Sequence, residues 1–250
     1  MWSRIKRALK KVWRGFKAAV RALVRGVIAF VMFIVKFIGF GFLSWPPKKM
    51  KVHIAVLQDQ GVPLIPRQDL QNELTPSIDL LKRVYKDYCN VTVSPYSSGN
   101  DREIDNWAQI INEQPPPKAL DGGPCTTWNQ IDEQLTEDSG EWFRQHTAGR
   151  VHDIRISLAN PITVFINRSI DGFFGCTIPV ATHYIVVSLE GLRIEPSTIA
   201  HEIGHRCNIF GESTDRTNLM FSGNQANLPP HRLTWWQRTR VRCSRHVNLF

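Results

Sequence analysis

His201-Glu202-Ile203-Gly204-His205, shortly after the helix opening Glu195-Pro196-Ser197, is the stretch around which the rest of the chain is read. Proline is tolerated in the first turn of a helix, so the run that follows it is read as helical. Residues four apart on a helix leave the same face one turn apart. His201 and His205 can then reach one ion at about 2.0–2.1 Å, and this HExxH spacing is expected to hold Zn²⁺. Glu202 is the expected catalytic residue, because a carboxylate beside the metal can take a proton from a water whose pKa zinc lowers towards roughly 7. The bland alternative is a chance match on an ordinary helix. The position of the motif behind a strand, shortly after a proline and ahead of Asn218-Leu219-Met220-Phe221 weighs against it.

Upstream, Ile162–Ile166 and Tyr184–Leu189 are apolar runs of strand length, separated by the glycine-bearing segment Asp171-Gly-Phe-Phe-Gly-Cys-Thr. Earlier still, Val52–Leu57 reads as a buried strand, Leu70–Tyr88 as an amphipathic helix and Val91–Ser94 as a short strand, which makes a β-α-β start. Residues 95–125 are loop-like, with Pro115–Pro117 and Gly122–Pro124 as breakers, although Ile104–Asn112 can be read as a helix. Trp128–His146 reads as a helix. A last one, Thr234–Ser244, opens on Thr234 as N-cap and carries Trp235, Trp236, Arg238, Arg240 and Arg242, a pattern expected to give a basic solvated face that runs on to Arg245. The expected fold class is α+β, a twisted, mostly parallel sheet packed on helices, with the HExxH helix flooring a cleft.

From about Ile162 to the C-terminus, and most specifically over Ala200–Phe221, the sequence resembles the metzincin metallopeptidases, whose motif is HExxHxxGxxH followed by a methionine-containing turn. The matching residues are His201, Glu202, His205 and, in the turn, Met220. Two positions depart. Asn208 stands where the helix-ending glycine is expected, and Asn is the next best residue for a left-handed cap. Gly211 stands where the third histidine is expected and cannot coordinate a metal, whereas catalytic zinc ordinarily has three protein ligands plus water. The third metal position is therefore open between Glu212, Asp215 and neither, with His183, His231 and His246 as distant substitutes. The resemblance implies a zinc-dependent endopeptidase that takes a peptide or protein substrate extended along an edge strand, either Gly172–Thr177 or Tyr184–Ser188, with Met220 as apolar flooring under the metal. The competing reading is a degenerate, non-catalytic, membrane-tethered binding module that retains the fold.

The net charge of +9 points to nucleic acid only until it is divided along the chain. Residues 1–51 hold 13 Lys/Arg and no acid, which leaves 18 basic and 22 acidic residues in 52–250. A phosphate-binding groove is not expected in the domain, nor is a nucleic-acid partner. Residues 1–25 form a basic amphipathic segment, residues 26–44 an apolar one barely long enough for a bilayer core of roughly 30 Å, and residues 45–51 a linker before a domain over 52–250. An uncleaved single-pass anchor is expected, with the basic end cytoplasmic and the domain extracytoplasmic; a surface-lying helix and a cleaved signal are the alternatives, and a third reading makes the basic leader itself a membrane-perturbing or partner-docking element. Five cysteines without a CxxC pair argue against a thiolate zinc cluster and allow up to two disulfides. Asn90-Val-Thr92 and Asn167-Arg-Ser169 match the glycosylation sequon.

Overall fold

A computed structural model of the chain describes residues 46–97, 103–120, 138–148, 160–170, 173–177, 184–221 and 231–248, together with six helical positions between Val20 and Ile34. The expected leader segments 1–25 and 26–44 thus lie almost wholly outside the described residues. Among those described, no helix is long and apolar enough to cross a membrane.

The chain enters on β1 (Lys48–Val56), turns through the small hairpin β2 (Gln58–Asp59) and β3 (Val62–Pro63), and crosses back along α1 (Leu70–Cys89) to β4 (Val91–Pro95). Asn90 ends α1 in the left-handed region at φ 50°, which lets the strand start one residue later. A single turn α2 (Ile104–Trp107) leads into β5 (Ala108–Ile110), followed by α3 (Pro117–Leu120) and α4 (Asp138–Gln145). The site-bearing half consists of β6 (Ile162–Asn167), β7 (Gly175–Cys176), β8 (Tyr184–Ser188), α5 (Leu189–Ile194), α6 (Thr198–Arg206), α7 (Trp235–Cys243) and β9 (Val247–Asn248).

The result is an α+β architecture on a mixed, mostly parallel sheet of order β4-β1-β6-β8-β7. β1 pairs in parallel with β4, β5 and β6, and β6 with β8, while β9 on β1 and β7 on β8 are antiparallel. Alternation along each strand divides the apolar side chains between two layers. Val52, Ile54, Val56, Val164, Ile166, Ile185 and Val187 face a core shared with α1 and α6, and Ala55, Leu57, Phe165 and Val186 face a smaller one closed by Ala119, Trp142 and Phe143. The site therefore rests on the larger core.

Three elements differ from the sequence reading. β1 starts at Lys48 rather than Val52, because the buried Lys48 ammonium donates to the Arg242 carbonyl at 2.8 Å and the segment pairs with Val91–Ser94. The helix read over Ile104–Asn112 is one turn only. Trp107 buries itself there and Ala108–Ile110 pairs with Ile54–Val56, so strand pairing overrides a weak helical pattern. Of the helix read over Trp128–His146, Asp138–Gln145 is described and residues 128–137 lie outside the described residues. Thr234 caps α7 as read, with Gln237 closing a reciprocal capping box. Cys176 is disulfide-bonded, whereas Cys89, Cys207 and Cys243 are buried thiols outside any disulfide.

Candidate metal centre

Helix α6 sets the two imidazoles, and the backbone around them sets the ring orientation. His201 Nδ1 lies 2.8 Å from the Leu219 carbonyl and His205 Nδ1 lies 2.9 Å from the Ile209 carbonyl. A carbonyl oxygen only accepts, so each Nδ1 carries the proton and donates it, leaving the lone pair on Nε2. The two Nε2 atoms stand 3.0 Å apart, and the side chains are half-buried. This is the arrangement in which metal-binding histidines are held, the far nitrogen fixed by a carbonyl and the near one turned to the ion.

Glu212 completes the group. Its Oε1 is 3.0 Å from His205 Nε2 and its Oε2 is 3.4 Å from His201 Nε2. Ligand atoms of His201, His205 and Glu212 all lie within 4.8 Å of one another. Two nitrogen lone pairs and a carboxylate converging at such distances repel one another unless a cation, a proton or a metal, lies among them. Two imidazoles and one carboxylate are also a donor set that zinc takes. The residues present therefore fit the ion.

The charge states follow from the same crowding. Burial pulls His205 down, but the Glu212 hydrogen bond, the Glu202 charge and the Ile209 carbonyl outweigh it and raise the imidazole to about 9. His201 is raised as well, burial again opposing and Glu212 and Glu202 prevailing. Burial raises Glu212, yet hydrogen bonds from both histidines bring it down to about 2.

The turn after α6 explains how a glycine can stand at the position of a third ligand. Asn208 is left-handed at φ 70° and Gly211 at φ 75°. A histidine at Gly211 would be strained there, since side chains rarely adopt this conformation. The reversal at Gly211 is what brings the next residue, Glu212, round to the imidazoles. Asp215 turns instead to its own loop, accepting from Thr217 N and Thr217 Oγ1 at 2.9 Å each, and those bonds lower its pKa. His246 bonds Asn160 O at 2.8 Å, and His231 is buried; neither belongs to the cluster. His183 lies outside the described residues.

Glu202 is 7 % exposed and packs beside β7: a Cβ on Gly175 would stand 2.6 Å from Glu202 Cγ and 2.8 Å from Oε1. Thr177 Oγ1 donates to the Glu202 backbone carbonyl at 3.1 Å, which ties the strand end to the helix. Met220 is fully buried under α6, and a Cβ on Gly204 would meet its Sδ at 2.5 Å. The small residue inside the motif is thus the imprint of the methionine below it.

Several supporting groups escape the motif pattern. Asn218 Oδ1 accepts from Met220 N at 2.9 Å, Asn218 Nδ2 donates to Gln237 Oε1 at 2.9 Å, and Leu219 N donates to Arg232 O at 2.8 Å. The α7 capping box is therefore linked through Asn218 to the carbonyl that orients His201. The pattern Thr234-x-x-Gln237 is the sequence signal that marks this link. A cavity of about 700 Å³ opens elsewhere, beside β5, lined by His53, Tyr96, Asn106 and His146 among others and by no member of the cluster. The converging donors, not the cavity, mark the candidate site. No protein-family model and no curated protein matches this chain.

Proposed function

We propose that the domain is a zinc-dependent peptidase of metzincin-like fold, with His201, His205 and Glu212 as metal ligands, Glu202 as general base and Met220 beneath the site. The observation that carries the reading is the convergence of two Nε2 lone pairs on one carboxylate, with both Nδ1 protons committed to backbone carbonyls. When bound, Zn²⁺ supplies a Lewis acid that lowers the pKa of water towards roughly 7 and polarises a carbonyl.

The remaining steps belong to the protein. Among the described residues β7 is the last strand of the sheet, so the outer backbone edge of Gly175–Cys176 can pair with an extended peptide. Gly175 lies against Glu202, so a peptide on that edge passes the carboxylate. Glu202 Oε1 or Oε2 accepts the proton of the attacking water and returns it to the amide nitrogen of the leaving chain. Leu219 and Ile209 carbonyls keep both imidazoles in one tautomer throughout, and buried Met220 keeps the floor dry. The domain is placed on the extracytoplasmic side of a membrane to which residues 1–44 anchor it. A disulfide at Cys176 supports that placement, because disulfides persist in oxidising compartments.

Zinc content and cleavage of a generic peptide by the full chain test the proposal together. One equivalent of zinc with cleavage is expected, and Glu202→Gln should keep the zinc while cleavage falls by roughly 10²–10⁴-fold. Stoichiometric zinc without cleavage in the parent chain would favour a binding module, and failure to bind zinc would remove the reading altogether.

A further inference from the structure

Of the five exposed aromatic side chains described in the site-bearing half, three gather at one end of α7, the other two, Phe173 and Phe174, preceding β7. Trp235 is 54 % exposed, Trp236 44 % and Phe210 58 %. Trp235 and Trp236 stack with ring centroids 6.2 Å apart, and the Arg240 guanidinium lies 5.0 Å from the Trp236 ring and 5.1 Å from the Phe210 ring. Arg240 Nη1 also donates to Asn208 O at 2.7 Å, which fixes α7 to the turn that carries Glu212. Burying such aromatics stabilises a core, so leaving three of them in water on one face calls for an occupant.

Charge and connectivity name it. Residues 207–250, the stretch that carries Phe210, the Glu212 turn and α7, hold six arginines against two acids, Glu212 and Asp215, so the chain is basic at both ends and acidic between them. The other end of α7 grips the point where the N-terminal segment joins the domain: Arg242 Nη2 donates to Pro46 O and Arg242 Nη1 to Cys89 O, both at 2.7 Å. Seven residues separate Arg242 from Trp235, about 10 Å along a helix axis. The junction with the 13-fold basic leader and the tryptophan pair therefore flank one short helix. Tryptophan and arginine together are the side chains that settle at the headgroup level of an anionic bilayer.

We propose that the Trp235–Trp236 end of α7, with Phe210, Arg240 and the exposed Arg232, is a membrane-surface contact for anionic phospholipid headgroups, distinct from the leader segment. The contact would hold the turn bearing Glu212 close to the bilayer. It does not depend on zinc, on catalysis or on the side of the membrane that the domain faces.

The test uses the full chain with Trp2, Trp13, Trp45 and Trp128 changed to Phe, so that emission comes from Trp235, Trp236 and the buried Trp107 and Trp142. Vesicles of phosphatidylcholine, with or without phosphatidylserine and with or without bromine near the headgroup end of the acyl chains, serve as quencher. Brominated vesicles containing phosphatidylserine should quench and blue-shift the emission, and Trp235→Phe with Trp236→Phe should abolish that response. Arg232→Gln, which leaves every reporter in place, should lower partitioning about fivefold, the equivalent of about 1 kcal/mol per basic residue near a surface. Equal emission on plain and brominated vesicles that carry the chain would overturn the proposal and leave the face to a protein partner. Failure of the chain to bind vesicles, or equal quenching without phosphatidylserine, would overturn it too.

Discussion

Helix α6 and the turn that follows it, residues 207–221, each supply part of one cluster by different means. The helix places His201 and His205 through its repeat, so any chain that is helical here brings both rings to one face. The turn places Glu212 through two left-handed residues, Asn208 and Gly211, and through contacts with α7 that lie 19 and 32 residues apart in sequence. A ligand on a helix is fixed by local geometry. A ligand on a turn is fixed by whatever holds the turn.

That contrast can be broken at its weaker half first. Glu212→Ala should reduce zinc affinity by more than the roughly 10–100-fold that loss of a ligand's outer hydrogen-bond partner costs, whereas Asp215→Ala should leave it unchanged. A chelator competition titration on the two variants decides it, and equal losses would return the third position to both acids. The next effect is on pH. The proton on His205 must leave before the ring can bind metal, so zinc affinity should climb by up to about tenfold per pH unit until pH reaches about 9 and level off above it. The metal-free chain should show the reverse sign. Its raised His205 contributes stability that is fully present below the ordinary value of 6.5 and is lost as pH rises through about 9, visible as a falling Tm in the presence of chelator. The smallest effect is steric. Gly204→Ala should cost about 1–3 kcal/mol by driving a methyl into buried Met220, read from urea unfolding, while Gly211→Ala, with open space around it, should cost about 1–2 kcal/mol from backbone strain alone.

The order of effects matches what the sequence makes legible. Strands β1, β4, β6 and β8, α1, the motif helix and the Thr234 cap follow from periodicity, a proline and a capping pair, which are local signals, whereas the β2–β3 hairpin and β9 carry none. β5 has none either, because Ala108–Ile110 becomes a strand only through pairing with β1. At the centre, His201 and His205 are read from spacing. The sequence alone leaves the third position open, with Glu212 ahead of Asp215 and neither acid as the remaining alternative, since both follow Gly211 within a few residues; the structure separates them by the left-handed turn and by Thr217, which takes the Asp215 carboxylate. The carbonyls of Leu219 and Ile209 are invisible in any residue pattern, because main-chain acceptors carry no side-chain signature.

X-ray absorption on the zinc-loaded full chain tests the central claim most directly. The expected spectrum has only nitrogen and oxygen neighbours at about 2.0–2.2 Å with scattering from two imidazoles, and loses one light-atom neighbour in Glu212→Ala. A sulfur shell at about 2.3 Å, or a single imidazole, would contradict the assignment of His201, His205 and Glu212.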